Sequence, residues 1–65
     1  MNLFMAEQNG VQVFGVAKDA DDFHDVIVKD AEAGKIAPTF GYLHFSIQEI
    51  TVPGYDIVIR KQKGA

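Results

Sequence analysis

Cysteine is absent from this 65-residue chain. No disulfide can staple the fold, and no thiolate can hold a metal. No apolar run approaches the ~20 residues that cross a bilayer. Met1–Glu7 has no basic region and only a few apolar residues before Glu7, unlike a secretion signal. The glycines are dispersed at turns and ends, so no phosphate-cradling loop is spelled out. Internal repeats, linkers and low-complexity tracts are missing too. Basic residues are the minority, 6 against 9 acids, for a net charge of −3. That balance disfavours nucleic acid or an anionic membrane as the main partner, because Lys and Arg drive phosphate contact. Lack of cysteine fits a reducing cytosol, which is the expected location.

Length sets a further limit. A chain this short buries about 60% of the surface it exposes when unfolded, and its core supplies roughly 3–5 kcal/mol net. Small scaffolds normally add disulfides, a metal or a second subunit. With the first excluded and the second weakly supported, a homodimer is the expected route to stability.

What is present is charge in blocks. Asp19, Asp21, Asp22, Asp25, Asp30 and Glu32 face only Lys29 across the same segment, while Arg60, Lys61 and Lys63 cluster near the other end. Such polarisation suits an acidic surface offered to a partner better than an enclosed substrate site.

Patterning predicts the elements. Leu3–Gln8 and Val11–Ala17 are β-prone runs joined by Asn9-Gly10, the pair that a type I′ hairpin turn requires. Leu3 and Met5 share one face. Val11 and Val13 share another, and Phe14 and Val16 take over around Gly15, which marks a bulge or a two-faced strand. Asp19–Lys35 reads as a helix: Phe23, Val26, Ile27 and Ala31 form an apolar stripe with Ala20 one turn earlier. Asp19 is the N-cap, Asp21 and Asp22 complement the helix dipole, and Gly34 sits where a left-handed residue ends the helix. The β-branched run Val26-Ile27-Val28 argues for a strand instead, and the two caps outweigh it.

Pro38 ends that segment. From Phe40 the period becomes two, with Leu43, Phe45 and Ile47 opposite Tyr42, His44, Ser46 and Gln48. Ile50 and Val52 resume one position late, as a bulge near Gln48-Glu49 would produce. Pro53-Gly54 fits a type II turn, and Tyr55, Ile57 and Ile59 alternate into a last strand. The expected fold is α+β: one domain over 1–65, strand-strand-helix-strand-strand, its antiparallel four-stranded sheet covered by the helix on one face, with 62–65 frayed. Phe14, Val16, Tyr42 and Val58 then point from the uncovered face.

No constellation carries a reaction. Asp19-x-Asp21 with Asp30 has the spacing of a calcium loop, but His24 stands where that loop needs glycine and Asp30 where it needs a bidentate Glu. His44 and Ser46 share a strand face about 7 Å apart, without an orienting acid or an oxyanion hole. No enzyme, cofactor or metal is therefore expected. The leading expectation is a non-catalytic interaction or regulatory module, an acidic inhibitor of a basic protein, acting as a homodimer and binding through Asp21, Asp22, Asp25, Phe14 and Tyr42. The alternative is a binder of single-stranded nucleic acid that stacks bases on Tyr42 and His44 beside Arg60 and Lys61.

Overall fold

The computed structural model describes residues 1–62. Its elements are β1 (Asn2–Gln8), β2 (Val11–Ala17), α1 (Ala20–Glu32) and β3 (Ser46–Glu49). β1 is the central strand, antiparallel to β2 on one side and to β3 on the other. The fold is thus α+β in kind, but its sheet has three strands among the described residues rather than the expected four.

The hairpin forms where its turn residues put it. Asn9 and Gly10 take φ of 50° and 80°, both left-handed, as a type I′ turn demands. Gln8 then faces Val11, and the register runs unbroken to Asn2 opposite Ala17. There is no bulge at Gly15, so β2 is a two-faced strand. Its helix-facing side carries Val11, Val13 and Gly15. A β-carbon at Gly15 would lie 2.9 Å from Cε1 of Phe23, so the glycine lets the helix approach.

The helix is fixed at both ends. Asp22 N–H donates to Asp19 Oδ1 at 2.8 Å, and Lys18 N–H donates to Asp22 Oδ2 at 3.2 Å. At the far end Gly34 has φ of 76°, its N–H reaching the Ala31 carbonyl while Lys35 N–H reaches that of Asp30. These caps settle Val26-Ile27-Val28 as helix. Phe23 and Ile27 are buried in one cluster with Phe4, Ala6, Ala17 and Phe40, while Val26 and Ala31 of the same stripe are only half-buried. Ala20, assigned to the stripe, is exposed. Phe4 and Phe23 stack with ring centroids 5.4 Å apart.

The second half departs from expectation. Residues 40–45 alternate in sequence but turn in space: Phe40 N–H bonds the Ala37 carbonyl and His44 N–H that of Gly41. Phe40 is buried and Leu43 is 78% exposed, so the period of two there is not a strand's. The bulge near Gln48-Glu49 is absent as well. Phe4, Met5, Ala6 and Glu7 pair in unbroken order with Glu49, Gln48, Ile47 and Ser46, and Ile50 N–H continues to the Leu3 carbonyl. Ile47 belongs to the helix face and Ile50 to the outer one, which is why the apolar pattern shifts by one. Pro53-Gly54 does make its turn, with Gly54 at φ 82° and an isolated Val52–Tyr55 bridge. No strand follows over Tyr55–Arg60. Tyr55 and Val58 lie mostly in solvent, and Ile59 and Arg60 come beside Met1 and Val16 without joining the sheet. Of the tail 62–65, residues 63–65 lie outside the described residues.

Candidate interaction surfaces

Two surfaces emerge on opposite sides of the sheet. Register places Leu3 opposite Val16, and Met5 between Phe14 and Gln48, all on the face away from α1. Phe14 is 58% exposed there and Val16 is also exposed, while Leu3 and Met5 are half-buried. The sequence placed Phe14 and Val16 correctly, since Gly15 between them must face the helix.

Tyr42 is not on that face. It packs half-buried against the cluster of Phe4, Phe23 and Phe40, because the loop before β3 folds back over the helix side. Val58 is exposed, but outside any strand. The sequence also missed Ile50 and Ile59. Met1, Val16, Ile59, Arg60 and Lys61 line an open cleft of about 530 Å³. A smaller cleft, about 330 Å³, lies among Leu3, Glu49, Ile50 and Tyr55. The signal for Ile50 was present: its shift from the Phe45–Ile47 parity marks a change of face.

The acidic surface is the outward side of α1. Asp21 and Asp25 are exposed. Asp22 is half-buried, and its carboxylate is engaged with Lys18 N–H, so it serves the helix start. His24 lies on the same helix with its ring stacked on Phe45, centroids 5.1 Å apart. Asp19–Asp30 is helical but for its first residue and cannot wrap an ion as a loop would. Among the described residues no three His, Cys, Asp or Glu side chains converge as a metal site would need.

His44 and Ser46 do not share a strand face. His44 closes a turn, while the Ser46 hydroxyl donates to the Glu7 carbonyl at 3.4 Å. Arg60 and Lys61 are exposed on the last segment, and Lys63 lies outside the described residues. Among the described residues no helix is long and apolar enough to cross a membrane. No family model, curated protein or solved structure matches this chain.

Proposed function

We propose that this chain is a small non-catalytic interaction module of the cytosol, acting as a homodimer and offering its acidic helix to a basic protein partner. The observation that carries the reading is the outer face of the sheet. One helix covers one side, and the other keeps Phe14 and Val16 in solvent around Met5. A domain with so small a core gains most by burying such a patch against a second copy. The exposed Asp21 and Asp25 then remain on the opposite side, free to steer a cationic protein by long-range attraction.

Sedimentation tests the first half. The mass at micromolar concentration should approach twice the 7.2 kDa of the monomer. A clean monomer at ~100 µM overturns it, since mass action favours any real dimer there.

The nucleic-acid reading has less support. Tyr42 leans on the core and His44 sits in a turn, so the two do not form the stacking platform that reading requires. A salt titration of binding to a generic oligonucleotide separates the two readings, because phosphate contact weakens steeply with salt.

A further inference from the structure

We propose that two copies of this chain join along the outer edge of β2, antiparallel, with Phe14 of one copy opposite Phe14 of the other, so that one sheet runs through both. The inference rests on the homodimer reading but places the contact at the strand edge, where it brings the two Phe14 side chains together and leaves the rest of the outer face uncovered.

Backbone parity shows what the edge offers. The carbonyls of Leu3 and Glu7 point toward β3, where they accept from Ile50 N–H and the Ser46 hydroxyl. Alternate residues of a strand point their backbone groups to opposite sides. Phe4, Ala6 and Gln8 therefore serve β2, through Gly15, Val13 and Val11. What remains on β2 is an outward ladder of N–H and C=O groups at Gln12, Phe14 and Val16, and among the described residues no strand pairs with it.

The chemistry of that edge favours a second copy of itself. Val11-Gln12-Val13-Phe14-Gly15-Val16-Ala17 contains no charge and no proline, and the pairing with β1 has no bulge. Those are the devices by which sheet edges normally refuse a partner. β3 has two of the usual protections: it is only four residues long and carries Glu49. β2 itself carries no charge, although Arg60 and Lys61 line a cleft with Val16 near its end; the acidic helix faces, by contrast, would repel each other.

The register centred on Phe14 is self-consistent. It sets Gln12 against Val16 of the second copy and Val13 against Gly15, with about six backbone hydrogen bonds closed by the pairing rule. A two-fold axis normal to the sheet leaves both helices on one side. On the other side the two Phe14 rings become directly opposed cross-strand neighbours, within reach of one another. Val13, half-buried at the helix face, meets a glycine rather than a bulky residue.

Cysteine scanning tests the register, and the chain has no cysteine of its own to confuse it. Directly opposed hydrogen-bonded residues stand about 5.5 Å apart at Cα, within disulfide range, whereas Gln12 would stand roughly 14 Å from Gln12 of the second copy. Under mild oxidation F14C should cross-link nearly completely, Q12C alone should stay unlinked, and the Q12C/V16C pair should link. In the unaltered chain, hydrogen exchange at the amides of Gln12, Phe14 and Val16 should slow at least tenfold as the dimer forms. Equal cross-linking of Q12C and F14C overturns the register. A dimer by sedimentation whose amides at 12, 14 and 16 exchange like a free edge overturns the edge pairing and leaves the homodimer standing. A monomer at ~100 µM overturns both.

Discussion

The amide of Gly41 donates to the side-chain oxygen Oε1 of Gln8 at 3.0 Å, across 33 positions of sequence. Gln8 ends β1 at the tip of the hairpin, so this one amide side chain fastens the loop that follows the helix to the hairpin it would otherwise leave. Phe40 is buried immediately before the contact and Tyr42 is half-buried immediately after it. A β-carbon at Gly41 would lie 2.8 Å from Nε2 of Gln8, so a larger residue there would have to displace the Gln8 side-chain amide.

Gln8→Ala should therefore lower stability by about 0.5–1.5 kcal/mol, the usual worth of one partly buried hydrogen bond. Denaturant unfolding measures the loss. Exchange of the Gly41 amide should accelerate more than that of the Phe4 amide, which the sheet protects.

Gly15→Ala should destabilise although alanine costs less backbone entropy than glycine. The new methyl meets the Phe23 ring at 2.9 Å, and that ring is fully buried with nowhere to retreat. About 1–3 kcal/mol is expected for such overpacking. Combined with Phe23→Leu, the loss should be smaller than the sum of the two single losses, which a double-mutant cycle in denaturant reads directly.

Phe23→Ala or Ile27→Ala should each cost about 2–5 kcal/mol. Both side chains are essentially free of solvent contact. Against the small total stability of a domain this size, either change should abolish the cooperative melting transition followed by circular dichroism.

Asp19→Ala removes the acceptor of Asp22 N–H and should cost roughly 1 kcal/mol of helix stability. By contrast, Asp21→Lys with Asp25→Lys touches only exposed positions, so beyond the modest loss of Asp21's favourable charge in the first helical turn the fold should stay intact. The same double reversal should slow association with a basic partner and blunt its salt dependence. Unchanged association kinetics would place the partner elsewhere.

What the sequence made legible was local. Asn9-Gly10 and the Asp19 and Gly34 caps each act within a few residues, so the hairpin and α1 could be read almost to their ends. The loop at 40–45 misled because buried Phe40 and half-buried Phe45 are brought together by turns, with ring centroids 5.4 Å apart, and apolar spacing alone does not distinguish turns from a strand. Tyr55–Ile59 alternates as a strand would, but a strand exists only with a partner, and partner choice is not written in the segment itself. For the same reason Phe14 was placed correctly and Tyr42 was not. The first lies in a register set by a two-residue turn, the second in a loop held by Gln8.

The central position of β1 orders events in time. Its neighbour on one side is closed by a two-residue turn, a microsecond process in isolated hairpins. On its other side Glu7 must find Ser46, 39 residues away, for a strand only four residues long. The entropy of closing that long loop must be met before the strand returns anything. A growing chain that has reached Glu32 already holds both rings of the Phe4–Phe23 stack and the glycine that admits them, while Phe40 and Ile47 have yet to be made. β3 is thus the last strand to arrive and the first to leave, and the β3 side of β1 stands open during synthesis.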